Sequence, residues 1–161
     1  MAERSEPEAA IGDAASGNDV AIYLDSNALV KLYVPEPESD RLDAFLRGRR
    51  GLLMSELAIT EVLSAVARRK RDGGLRADDA IKIRDALMAD ADSGSFGRLD
   101  LNPVVHREAE RLLLATDSLP LRTLDALHVA LAVSGSATHV LTFDHRMRDA
   151  AVLAGLVAID I

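Results

Sequence analysis

Ala21-Ile22-Tyr23-Leu24-Asp25-Ser26-Asn27-Ala28-Leu29-Val30-Lys31-Leu32-Tyr33 holds two kinds of hydrophobic pattern in thirteen residues. Its first four residues are an unbroken apolar run, the form taken by a short strand buried on both faces. From Asn27 onward Ala28, Leu29 and Leu32 recur at helical spacing, until Pro35 and Pro37 forbid continuation. A strand at about 21–25 that passes at once into a helix from Asn27 to Tyr33 is half of a strand–helix–strand unit. Asp25 stands at the junction.

The rest of the chain repeats that alternation. A second helix runs through Asp40 to Leu46, and Gly51-Leu52-Leu53-Met54-Ser55 is a second short strand. A long helix from about 56 to 71 ends at Gly73-Gly74. Residues 77–92 are helical, with Ala80, Ile81, Ile83, Leu87 and Met88 at the right spacing and a stop at Asp92-Ser93-Gly94. A third strand falls at about Phe96–Leu101. Pro103 opens a helix through Val104, Ala109, Leu112 and Leu113, at an early position where its missing N–H is harmless. Residues 123–133 form another helix, ended by Gly135. Strand 138–143, helix 145–154 and a short strand 156–159 complete the series. Short apolar strands alternating with helices predict an α/β fold, a central parallel sheet of about four to five short strands flanked by helices in three α/β/α layers. In such sheets the ligand crevice lies beyond the carboxyl ends of the strands.

The chain has 161 residues, which suits one domain, and is 48% hydrophobic but only 3% aromatic, so Leu, Val, Ile and Ala must fill the core. No stretch has the length and apolarity of a membrane-spanning helix. The acidic start (Glu3, Glu6, Glu8) is unlike a signal peptide. A cytoplasmic location follows as the expectation. Zero cysteines exclude a disulfide framework and a thiolate zinc site. Residues 1–19, rich in Ala, Glu, Gly, Ser and Asp without periodicity, read as a disordered acidic leader, with one domain over 20–161. The net charge of −7 argues against a general nucleic-acid binder. Much of it sits in the leader, however, while the body carries Arg47, Arg49, Arg50 and the run Arg68-Arg69-Lys70-Arg71. Acidity overall therefore does not exclude an RNA substrate.

Four carboxylates stand where a crevice is expected: Asp25, Glu61, Asp125 and Asp144. Asp25 ends the first strand, and Asp144 follows Val140-Leu141-Thr142-Phe143. Each also suits a helix N-cap, and capping is compatible with offering one oxygen to a cation. Glu61 borders the stripe of Ile59, Val62, Leu63 and Val66, beside the small residues Ser64 and Ala65; a solvated surface glutamate is the plainer alternative. Asp125 lies in Leu124-Asp125-Ala126-Leu127-His128-Val129-Ala130-Leu131-Ala132-Val133, where only it and His128 are polar. A helix apolar all round is buried, so Asp125 is expected as a buried carboxylate in need of a cation. His128, one turn from Asp125, reads as a hydrogen-bonded core histidine that is also placed to orient Asp125. Ser26, Asn27 and Thr142 flank the strand-end acids as hydrogen-bond donors. Four like charges in one crevice repel unless a divalent ion holds them. Oxygen ligands without Cys or a His pattern favour Mg2+ or Mn2+ over Zn2+. Such ions, one or two in number, serve phosphodiester hydrolysis. The basic run 68–71 lies about two turns beyond Glu61, as candidate RNA-backbone contacts or as a solvated charge run.

With these residues in place the sequence resembles a known family. Tyr23 to Tyr33, the Glu61 helix, Leu124-Asp125-Ala126-Leu127-His128-Val129-Ala130 and Leu141-Thr142-Phe143-Asp144 look like the four motifs of PIN-domain ribonucleases. More narrowly they look like those of VapC toxins from bacterial toxin–antitoxin pairs. The match runs from residue 21 to about 160. The resemblance implies a PIN-like domain and a Mg2+- or Mn2+-dependent endoribonuclease that inhibits translation by cutting a structured RNA such as tRNA or a ribosomal loop. Asp25, Glu61, Asp125 and Asp144 would be the catalytic and metal-binding acids, assisted by Ser26, Asn27 and Thr142. It also implies a cognate VapB-type antitoxin and a homodimeric toxin within a larger complex.

Two other readings compete. A receiver or aspartyl-phosphatase module fits poorly: Lys occurs only at 31, 70 and 82, and the position two after Asp25 is Asn27. A catalytically silent PIN-like scaffold for protein binding would be favoured by loss of an acid, and all four are present.

Overall fold

Strand β1 (Ile22–Leu24) occupies the centre of a five-stranded parallel sheet in the computed structural model, which describes residues 20–115 and 120–161. The expected leader, residues 1–19, lies outside the described residues. After β1 come α1 (Ser26–Tyr33), α2 (Ser39–Leu46), β2 (Leu52–Ser55), α3 (Glu56–Arg71), α4 (Ala77–Asp92) and β3 (Gly97–Leu99). The second half runs through α5 (Pro103–Ala115), α6 (Thr123–Ser134), β4 (His139–Leu141), α7 (His145–Leu153) and β5 (Val157–Ile159). The strand order is β3-β2-β1-β4-β5. Ile22 pairs with Leu52 on one side and His139 on the other, so β1 has no free edge.

The period-two alternation of a strand sends neighbouring side chains to opposite layers. Ile22 and Leu24 join Leu29, Leu42, Met54, Val62 and Leu87 in the core beneath α1–α4. Tyr23 and Val140 join Val105, Leu112, Val129, Leu131 and Met147 beneath α5–α7. These two cores are the outer interfaces of the expected α/β/α layers.

Local signals set the element ends. Asn102 caps α5 through Oδ1, which accepts from the N–H groups of Val104 and Val105, and Pro103 takes the first helical position. Gly51 holds φ +71° ahead of β2, and a Cβ there would meet the Val20 carbonyl oxygen at 2.7 Å.

The chain leaves β1 toward β2 and β3, then returns across to β4 and β5. Strand order therefore reverses between β1 and β4, and a crevice opens at their carboxyl ends. Asp25 leaves one of these strands and Thr142 the other. Among the described residues no helix is long and apolar enough to cross a membrane.

Candidate active site at the reversal of strand order

Asp25 is the buried acid. It is 4% exposed. It caps α1 with Oδ1, which accepts from the Ala28 N–H at 2.8 Å, while Oδ2 accepts from Thr142 Oγ1 at 2.6 Å. Thr142 Oγ1 in turn accepts from the Asp144 N–H at 3.0 Å. Burial pushes the Asp25 carboxyl above the usual carboxylate range and Asp144 adds to the shift, although the hydrogen bonds from Thr142 and Ala28 and the nearby His128 oppose it. Among the described residues no side-chain cation forms an ion pair with Asp25.

Asp144 caps α7, its Oδ1 accepting from Arg146 N at 2.8 Å and Met147 N at 3.4 Å, with Arg146 Nε 4.0 Å away. Asp125 stands in the first turn of α6, where Oδ2 accepts from the Arg122 N–H at 3.3 Å. Here the sequence expectation is corrected. Asp125 is half-buried, not enclosed, because α6 presents its first turn to the crevice, where Leu124 is also exposed. The burial that was expected of Asp125 belongs to Asp25.

Glu61, on α3, is half-buried and its Oε2 lies 2.5 Å from His128 Nε2. Burial alone would raise its pKa, yet the hydrogen bond and charge of His128, with a further hydrogen bond from Ser26, hold it below the usual range. His128 is a hydrogen-bonded core histidine, as expected, but its ring nitrogens meet Glu61 and Tyr23, not Asp125.

All four acids line one cavity of about 450 Å³, together with Ser26, Asn27, Arg122, Thr123, Leu124, His128 and Met147. Four separate elements thus deliver one carboxylate each. A neighbouring groove of about 490 Å³ shares Ser26, Asn27, Glu61 and Leu124 with it and continues to Arg68, Arg69 and Arg71. The run 68–71 divides in the structure. Arg68 and Arg71 are exposed along the groove, Arg69 pairs with Glu36, and Lys70 does not line it.

The donor set is oxygen-rich, and Asp25 is a buried charge with no cationic side chain against it, both of which suit a hard divalent ion. Among the described residues no three acidic or histidine side chains converge as a ready-made metal cage. Each carboxylate is turned onto a protein donor.

Sequence reasoning missed Lys31. It is buried on α1, with Nζ 2.5 Å from Glu36 Oε2 and 2.8 Å from Glu38 Oε2, and it lies 4.9 Å from the centre of the Phe143 ring. The pair Glu36/Glu38 between and beyond two prolines was the available signal, but nothing local tied it to a lysine in the last turn of α1.

Comparison with known proteins agrees with this architecture. The PIN domain family model matches residues 22–153. Ribonuclease VapC46 of Mycobacterium tuberculosis is 41% identical over 143 residues, covering 86% of this chain and 96% of the relative. Ribonuclease VapC35 of the same species is 34% identical over 143 residues, covering 86% and 95%. Among solved structures, M. tuberculosis VapC20, described as a Sarcin-Ricin loop cleaving toxin, superposes with a TM-score of 0.64 at 16% identity, covering 85% of this chain and 97% of that one. FitAB bound to a DNA fragment gives a TM-score of 0.66 at 18% identity, covering 86% and 93%. The fold, the placing of the four acids and the extent of these matches have one reading: the chain belongs to the PIN-domain family, among the VapC ribonucleases.

Proposed function

We propose that the protein is a divalent-metal-dependent endoribonuclease, the toxin of a VapBC-type toxin–antitoxin pair. The observation that carries this reading is the single cavity lined by Asp25, Glu61, Asp125 and Asp144, opening into a groove lined by Arg68 and Arg71. The acidic end suits hydrolysis and the basic end suits a phosphate backbone. Relatives named as VapC ribonucleases support the activity, and solved VapBC complexes of the same fold support a VapB-type antitoxin as partner.

Asp25, Glu61, Asp125 and Asp144 would hold Mg2+ or Mn2+, one or two ions. The ion supplies positive charge against the phosphate oxygens and makes water more acidic. The chain's own contribution is placement. Thr142 fixes the Asp25 carboxylate from one side and Ala28 from the other. Glu61 stays ionised through His128, ready to accept a proton at Oε1 or Oε2. Arg68 and Arg71 bind the RNA backbone to one side of the scissile phosphate. Water attacks phosphorus in line, the P–O3′ bond breaks, and a proton reaches O3′, leaving a 5′-phosphate and a 3′-hydroxyl.

The test is cleavage of a structured RNA by the purified full chain in Mg2+ or Mn2+, beside Asp25→Asn. Metal-dependent cleavage lost in the variant is the expected result. Cleavage by Asp25→Asn at the wild-type rate would overturn the assignment.

A further inference from the structure

Beneath the cavity floor lies a buried polar chain that the hydrolytic reading does not use. Tyr23 is fully buried at the centre of the sheet, and its hydroxyl is 2.8 Å from Ser55 Oγ and 2.7 Å from His128 Nδ1. Burial drives the Tyr23 pKa far upward, so the phenol keeps its proton. Ser55 Oγ accepts from the Ala58 N–H at 3.1 Å and so caps α3, the helix that carries Glu61. His128 closes the path with Nε2 at 2.5 Å from Glu61.

The contacts therefore form a ring: Ser55 to α3, α3 to Glu61, Glu61 to His128, His128 to Tyr23 and Tyr23 back to Ser55. Donor and acceptor roles are consistent around it. An ionised Glu61 only accepts, so His128 Nε2 donates to it. The other ring nitrogen, Nδ1, shares a hydrogen bond with the Tyr23 hydroxyl at 2.7 Å. The Tyr23 and Ser55 hydroxyls share the next hydrogen bond, and the Ser55 oxygen also receives the Ala58 N–H. Every member of this buried network has a partner, the condition under which such networks rigidify a structure. His128 also lies three residues after Asp125 on α6, so one imidazole ties the helix of one acid to the side chain of another.

We infer that His128, locked by Tyr23 and Ser55, is a positioning residue that sets the Glu61 carboxylate against Asp125 across the cavity. The inference rests on the reading of these acids as the working site. A carboxylate held by a buried donor presents its oxygens in one orientation, whereas a free glutamate samples several rotamers. Gln at 128 would keep a donor directed at Glu61, and Leu would remove it at similar volume.

The experiment compares the full chain with His128→Leu, His128→Gln and Tyr23→Phe. Thermal unfolding first establishes the folded fraction. Cleavage of one defined RNA then gives kcat and KM per folded molecule, and calorimetric titration with Mn2+ gives metal affinity without reference to turnover. His128→Leu is expected to lose roughly 10-fold or more in kcat and to bind Mn2+ more weakly, at near-constant KM. His128→Gln recovers most of both, and Tyr23→Phe falls between. Wild-type kcat and Mn2+ affinity in folded His128→Leu would overturn the inference, as would a folded His128→Gln as impaired as the Leu variant. If His128→Leu does not fold, Tyr23→Phe and the nitrogen NMR spectrum of wild-type His128 decide. A ring carrying a proton at Nε2 supports the contact with Glu61, and one protonated at Nδ1 alone refutes it. Absence of RNA cleavage by the wild type would instead count against the proposed function, leaving the spectrum and the Mn2+ titration to judge the positioning role.

Discussion

Thr142 Oγ1 donates to Asp25 Oδ2 at 2.6 Å, joining residues 117 positions apart in the chain. The same oxygen accepts the N–H of Asp144, so one hydroxyl holds the ends of β1 and β4 together and sets two acids of the cavity. Thr142→Val keeps the shape but removes donor and acceptor. We expect a loss of roughly 10–100-fold in kcat and about 1–3 kcal/mol of stability from the unpaired buried groups. Thr142→Ser should restore most of both. Steady-state cleavage and urea unfolding of the two variants check this, and equal behaviour of Val and Ser would refute it.

Asp25 titrates above the ordinary carboxylate range, and this fixes the sign of one pH effect. Between the unfolded pKa of about 3.9 and the raised folded value, the folded chain binds more protons than the unfolded one. This group therefore adds stability as the pH falls through that window and subtracts it at neutral pH. Asp25→Asn should accordingly raise the melting temperature of the metal-free protein at neutral pH, with little gain near pH 4. Cleavage should fall by more than the roughly 100-fold typical of a supporting residue. A neutral-pH melting temperature below wild type would contradict the account.

Glu61 behaves with the opposite sign. Its folded pKa is lowered, so its contact with His128 stabilises the fold above the ordinary value of about 4.3 and is lost as the pH falls through the lower folded value. Glu61→Gln should flatten the acid limb of a stability-against-pH curve measured in chelator. An unchanged acid limb would mean that the contact does not persist in solution.

The two groove arginines should act on binding. Arg68→Ala and Arg71→Ala are each expected to raise KM with kcat nearly constant, and to reduce the slope of log affinity against log salt by about 0.7 for a single strand. Lys70→Ala, off the groove, serves as control. An equal effect of all three would show that the bases act as a diffuse field.

Lys31 offers a test outside the four acids. Lys31→Met keeps the buried stem but removes the ammonium that pairs with Glu38 and weakens the hold on Glu36. A lower stability is expected from the lost charged hydrogen bonds. The midpoint of urea unfolding measures it, and a wild-type midpoint would show that the ion pairs offset their own desolvation.

The sequence by itself determined the strand and helix order, the parallel sheet and the four acids. Short apolar runs, prolines and caps act within a few residues, so they are legible locally. Asp25 and Asp144 were legible because a strand end followed by a capping Asp places a side chain at the sheet's carboxyl edge. The distribution of burial was not legible. Asp125 has apolar neighbours in sequence yet opens to the crevice, while Asp25 is enclosed by β4, a strand more than a hundred residues away. Only the tertiary structure decided that Glu61 meets His128, that Tyr23 and Ser55 stand behind them, and that Arg68 and Arg71 but not Lys70 line the adjoining groove. The physical reason is that local periodicity says which face of an element turns inward. Hydrogen-bond partners and solvation depend instead on which other elements arrive at that face, and the strand order supplies them.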